Sequence, residues 1–239
     1  MLQNFSAHTL GNSELISMIL VIAALLFIAS LIYKKLPKED ALYIDIGANN
    51  KEEALGFISV GDRAVICGEY RKCGKTILSK AIDDRAGCAI LIELLRRESE
   101  YDFYTSFSVQ EEVGLRGAKA ATFAIEPDCA IIIESTTAAD ISGVSEEDKV
   151  CKLGCGPAVS FMDKATVYDR EFYNAALNSK IPCQPKSAVA GGNNSGAVHL
   201  CRNGVRTIAI SLPCRYIHSS SSVANEQDFL NTGKLVEYM

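Results

Sequence analysis

Four places along the sequence set acids or an imidazole directly against β-prone runs: Asp83-Asp84, Glu111-Glu112, Glu134 and His218. Asp83 and Asp84 follow an apolar stretch and open a helix-prone one. A carboxylate at such a junction is held from both sides, which suits a bridging metal ligand. An Asp there is also the favoured helix cap. Residues 107–118, FSVQEEVGLRGA, end a β-prone run in two adjacent glutamates ahead of a glycine turn. Neighbouring side chains point in different directions, so one carboxylate can bind metal while the other faces an attacking water. The same adjacency argues against a glycosidase pair, whose two carboxyls face each other across about 5–9 Å. Residues 129–134, CAIIIE, read as an apolar strand ending in one acid, and residues 207–211 run on into LPCRYIHS, which contains His218. Each acid alone could be a solvated surface group, and His218 an ordinary loop histidine. Together they make the carboxylate-plus-imidazole set of a zinc-type hydrolytic centre.

The elements that must position these groups alternate. Strand patterns fall at residues 42–46, 64–67, 103–109, 130–134, 158–161 and 207–211; helical patterns fall at 87–97, 116–123, 169–177, 194–202 and 224–238. The alternation predicts an α/β fold with a mostly parallel sheet flanked by helices, and such sheets hold their sites at the carboxyl edge. Residues 41–78 differ: they carry turn glycines and no long helix, and read as the remnant of a small β-domain. Residues 79–239 read as the main domain.

A chain of 239 residues, 48% hydrophobic, can build one well-cored domain with an appendage. The charge balance of 24 basic to 29 acidic residues gives no basic face, so no nucleic-acid partner is expected. Nine cysteines match no zinc ribbon or redox pair, and Cys88, Cys129 and Cys201 read as buried thiols of a reducing compartment such as the cytoplasm. Residues 16–33, ISMILVIAALLFIASLIY, carry no charge and are followed by Lys34, Lys35 and Lys38. That length just suffices for a transmembrane helix behind a tail at 1–15, and the lysines favour a cytoplasmic C-terminal side with the N-terminus outside.

The long motifs YIDIGANNKEEA (43–54), KAIDDRAG (80–87), FSVQEEVGLRGA (107–118), ESTTAAD (134–140) and PCRYIHS (213–219) resemble the glutamyl or deblocking aminopeptidases, the co-catalytic metallopeptidases that assemble into tetrahedral particles. The resemblance runs from about residue 42 to the C-terminus. It implies a zinc-exopeptidase-like fold and a hydrolase, a metalloprotease acting on the N-terminal residues of peptides with zinc or cobalt. It further implies Asp83 as the carboxylate bridging two metals, Glu112 and His218 as further ligands of one, Glu134 as a ligand of the other, and Glu111 as general base. Self-association is implied too.

Two departures stand out. The family's early His-x-Asp ligand motif has no counterpart among His8, His199 and His218; His8 precedes Thr9, and His199 lies in an apolar helical run that suits a structural role. The expectation is therefore one complete metal site, Asp83–Glu112–His218, and a depleted second one. The alternative is a catalytically inactive membrane-anchored relative or truncated gene product. The second departure is GGNNSGA (191–197), where the family usually has Gly-Gly-Thr-Asp, so Asn193 and Asn194 replace a hydroxyl and a carboxylate.

Overall fold

The structure, a computed structural model, describes residues 41–239. The chain divides into two compact units, residues 1–64 and 65–239. The apolar run at 16–33 lies outside the described residues. Among those described, no helix is long and apolar enough to cross a membrane. In the first unit the one regular α-helix described is α1, Lys51–Leu55. It starts at Asn50, whose side chain accepts from the Glu53 N–H at 2.8 Å, the usual way an Asn satisfies an orphan helix donor. The strand expected at 42–46 is irregular chain instead.

The second unit is built on one seven-stranded sheet. Its strands are β1 (Arg71–Cys73), β2 (Thr76–Ser79), β3 (Cys129–Thr137), β4 (Ala158–Val159), β5 (Gln184–Pro185), β6 (Arg206–Arg215) and β7 (Ser222–Asn225). Around them run α2 (Ile82–Leu95), α3 (Arg116–Ile125), α4 (Arg170–Asn178), the short α5 (Ser195–Val198) and α6 (Glu226–Tyr238). Strand β6 is central. The run TIAISLPC is apolar without alternation, as a strand covered on both faces requires, and it is buried from Thr207 to Cys214. On one side β6 pairs in parallel with β3 from Arg206↔Cys129 to Cys214↔Thr137. On the other it meets β4 (Ser211↔Ala158) and β7 (Cys214↔Ala224), both antiparallel.

The sheet is therefore mixed rather than mostly parallel. Pairs β3–β6 and β4–β5 are parallel; β1–β2, β2–β7, β4–β6 and β6–β7 are antiparallel. The physical reason is loop length: β6 returns to β7 through residues 216–221, too few for the crossover of a dozen or more residues that a parallel return needs. The hairpin β1–β2 lies at the end of the stretch expected to be β-domain remnant, and β2 pairs into the main sheet through β7.

Other boundaries move for local reasons. No strand forms at 64–67 or 103–109, although both are β-prone. The last helix begins at Glu226 because Ala224 belongs to β7 and Asn225 caps the helix, accepting from the Gln227 N–H at 2.8 Å. The helix expected at 194–202 shortens to α5, and the chain turns at Arg202 (φ 52°) and Gly204 (φ 97°) to feed β6.

The core lies against β6. Ile132, Val159, Tyr168, Ile208, Ile210 and Leu235 form one cluster. Ile82, Leu212, Cys214 and Ala224 form another at the end of the strand nearer the acids. A fully buried Ile or Leu contributes about 1.5–3 kcal/mol relative to exposure, so these clusters fix β6 and β3, the strands from which two of the candidate groups hang. All nine cysteines are free thiols. Cys201 is buried as expected, but Cys88 is half-buried and Cys129, the first residue of β3, is exposed.

Candidate metal centre

Asp83 and Asp84 sit where β2 ends and α2 begins, and they divide the two expected roles. Both have non-helical backbone, with φ/ψ of −83°/110° and −119°/49°. Asp84 caps the helix: its Oδ1 accepts from the Gly87 N–H at 3.0 Å. Asp83 is left free of the helix and projects towards the loop after β6. His218 lies in that loop, with φ +61° after Tyr216 at φ +55°, a pair of left-handed residues that turns the chain sharply beyond β6. Its Nε2 lies 3.1 Å from Asp83 Oδ2 and 3.5 Å from Glu112 Oε2.

Glu111 and Glu112 stand on a turn rather than at a strand end. The turn is closed by backbone bonds from the N–H groups of Gly114 and Leu115 to the Glu111 carbonyl, and from Arg116 to Gln110. Glu134 also departs from expectation. It lies inside β3, opposite Ser211, because Ser135, Thr136 and Thr137 continue the pairing up to Cys214 of β6. The β-branched threonines prolong the strand past the acid.

These residues form two groups that share one member. Ligand atoms of Asp83, Glu112 and His218 lie within 4.8 Å of one another, and so do those of Asp83, Asp84 and Glu134. Glu111 belongs to neither group. The first group is open: Glu112 and His218 are mostly exposed, Asp83 only 14% so, and all three line a cleft of about 390 Å³ with Ile66, Lys80 and Ser219. The second group is enclosed, with Glu134 only 6% exposed.

Crowding and burial raise the proton affinity of these acids. Burial pushes Glu134 up to about 9, with the charges of Asp84, Glu111 and Asp83 adding to it. Burial likewise pushes Asp84 up to about 8, against the stabilising Gly87 N–H and reinforced by Asp83 and Glu111. Asp83 is raised by burial and by Glu112, and pulled back by His218. Glu111 is raised by burial, then by Glu112 and Asp83. Two carboxylates at the 4.8 Å limit repel by roughly 3 kcal/mol at an effective dielectric of 20. A divalent cation among them would turn that repulsion into attraction.

The donor chemistry fits such an ion. Asp83, Glu112 and His218 offer two carboxylates and an imidazole, a set suited to zinc-type ions. Asp83, Asp84 and Glu134 offer oxygen only, a harder set. The expected site residues thus come together in space. The sequence alone does not single out Asp84 as a group member; Asn194, noted in the sequence as a departure from the resembled family, donates through Nδ2 to Glu134 Oε1 at 3.3 Å, a contact the sequence does not foretell. The adjacency of Asp84 to Asp83 is the one local hint for the first; nothing local marks the second contact. His199 is held by a bond between Nδ1 and the Ser195 carbonyl at 2.7 Å, a structural placement.

The same architecture occurs in known proteins. A putative aminopeptidase of Acetivibrio thermocellus is 38% identical over 201 residues, covering 82% of this chain and 60% of that protein. The solved aminopeptidase of the archaeon Desulfurococcus kamchatkensis superimposes with a TM-score of 0.82 at 34% identity, covering 87% of this chain and 61% of that one. The TET aminopeptidase of a marine-sediment Thaumarchaeota archaeon gives a TM-score of 0.81 at 32% identity, covering 86% and 61%. The chain therefore spans about three-fifths of the length of these relatives. A family profile described as M42 glutamyl aminopeptidase matches residues 9–235, a span that holds every acid of both groups and His218. With fold, residues and profile in agreement, the chain belongs to the M42 glutamyl aminopeptidase family.

Proposed function

We propose that the chain is a metal-dependent aminopeptidase that removes residues from the free N-termini of peptides. The observation that carries this reading is the sharing of Asp83 between two ligand groups, with Glu111 outside both yet close enough to feel the charges of Asp83, Glu112 and His218. Asp83, Glu112 and His218 would hold one divalent ion of the zinc or cobalt type, and Asp83, Asp84 and Glu134 a second. Bound there, such ions would supply Lewis-acid polarisation and lower the pKa of water towards 7.

The chain's own residues do the rest. Glu111, free of ligand duty, takes a proton from the attacking water and returns it to the departing amine. The cleft of about 390 Å³ beside Asp83 gives room for the terminal residue of a peptide. Self-association of the kind suggested by the likeness to a TET aminopeptidase belongs to the same proposal, as does anchoring through residues 16–33, which rests on the sequence alone.

The test is direct. Purified full chain loaded with zinc or cobalt should hydrolyse aminoacyl-p-nitroanilides, and lose that activity on chelation. Failure to cleave any member of a panel covering acidic, basic and apolar residues, with metal demonstrably bound, overturns the reading. Carbonate-resistant pelleting that disappears on deletion of residues 1–36 would support the anchor; soluble full-length chain would rule it out.

A further inference from the structure

Asn194 stands where the chain enters α5, a position at which an Asn side chain ordinarily caps the helix. Here it makes no cap bond. Its Nδ2 instead donates to Glu134 Oε1 at 3.3 Å and to Ser108 Oγ at 3.2 Å. Its Oδ1 is buried without a hydrogen-bond partner among the described residues. The bond to Glu134 sets the orientation. With Glu134 ionised, as a metal ligand must be, turning the amide over would set oxygen against oxygen, whereas the Ser108 hydroxyl can bond either face of the amide. The amide leaves its own acceptor unsatisfied in order to present its N–H groups to the acid.

The bond links three separate segments. Glu134 sits on β3, Ser108 lies just ahead of the Glu111-Glu112 turn, and Asn194 comes from the loop before α5. Glu134 is the most buried acid of its group, and no other side-chain donor bonds it among the described residues. We infer that Asn194 is a positioning residue for Glu134: its amide fixes the direction of the carboxylate and keeps it available as a ligand for the second divalent ion. This rests on the proposed metal centre.

The test reads zinc binding rather than turnover. Zinc is titrated calorimetrically into metal-free full chain, and the event that involves Glu134 is identified as the one lost in Glu134→Gln. Asn194→Ala should weaken that event by about 10–100-fold, the usual cost of removing a partner that orients a metal ligand, while the Glu134-independent event is kept. Asn193→Ala is the control for damage to the loop: its side chain bonds Tyr168 and Ser195 and leaves Glu134 alone. It should lower thermal stability yet leave zinc affinity at the wild-type value. An unchanged Glu134-dependent event in Asn194→Ala overturns the inference, and so does an equal loss in Asn193→Ala. If Asn194→Ala does not fold, Ser108→Ala replaces it, since it frees the amide from its second anchor. Weaker Glu134-dependent binding then supports the inference and unchanged binding overturns it. A wild-type chain with no Glu134-dependent event at all overturns the second metal group itself.

Discussion

Asp83 and His218 are 135 residues apart in the chain, and Nε2 of the imidazole lies 3.1 Å from Oδ2 of the carboxylate. The same nitrogen lies 3.5 Å from Glu112, so one exposed imidazole faces two acids from different segments. Exposed ion pairs contribute about 0–1 kcal/mol, too little to account for gathering three segments around one ring. Stability does not explain the convergence. A divalent ion bound by all three groups, as proposed above, would.

Metal retention tests that explanation first. After dialysis the purified chain should keep close to one divalent ion per chain, held by Asp83, Glu112 and His218. The oxygen-only group should release its ion more readily, because imidazole is the better donor for a zinc-type ion and because Asp84 and Glu134, pushed up to about 8 and about 9, must give up protons that compete with the ion. Asp83→Asn should weaken both events, since Asp83 is the member common to the two groups. Elemental analysis showing two ions retained after dialysis would overturn the ranking.

Glu111 and Glu112 should separate cleanly by substitution. Glu111→Gln should reduce any aminopeptidase activity by on the order of 10²–10⁴-fold while zinc uptake stays at the wild-type level. Glu112→Gln should lower zinc affinity, because its Oε2 is one of the ligand atoms around His218. Loss of metal in Glu111→Gln with retention in Glu112→Gln would mean that the two roles are exchanged.

What could be seen in the sequence follows the range of the forces involved. The run at 207–211 announces β6 because residues buried on both faces must be apolar without alternation. The acids were visible for a similar reason, as each interrupts or follows such a run. Direction of pairing was not visible, because nothing within β6 or β7 records that the loop between them is too short for a parallel return. The segment 103–109 shows the same limit. Its FYTSFSV pattern favours an extended chain, but a strand needs a partner, and among the described residues none pairs with it, leaving Phe103, Tyr104 and Val109 exposed. The Asn194–Glu134 bond spans 60 residues and has no periodicity to betray it.

Gly87 offers a steric test of the junction that carries both aspartates. A Cβ added there would lie 2.2 Å from Asp84 Oδ2, so the carboxylate must leave its cap position. Gly87→Ala should therefore cost about 1–3 kcal/mol in urea denaturation, although alanine is the better helix former. The oxygen-only group should lose zinc affinity in the same variant. An unchanged midpoint with unchanged zinc binding would show that Asp84 is not held as described.

The acid limb of stability should report on Asp140 and Arg215. Arg215 Nε donates to Asp140 Oδ1 at 2.6 Å and Nη2 to Oδ2 at 2.9 Å, with the Leu153 N–H adding a bond at 2.9 Å. The guanidinium beside it holds the Asp140 carboxyl below its ordinary value, the Arg215 bonds being the largest cause. A group depressed on folding contributes stability that is present above its unfolded pKa of about 3.9 and is lost as pH falls through the lower folded value. Arg215→Met keeps much of the side-chain volume and removes the donors. At pH 7 it should destabilise by about 1 kcal/mol, a charged hydrogen-bond contribution discounted for the partial exposure of Arg215. The gap between wild type and variant should then narrow as the pH is lowered below about 4, towards the lowest pH at which both still fold. Denaturation curves at each pH measure it. A gap that stays constant down the whole acid limb would mean that Arg215 acts through packing at the end of β6, and that Asp140 does not depend on its charge.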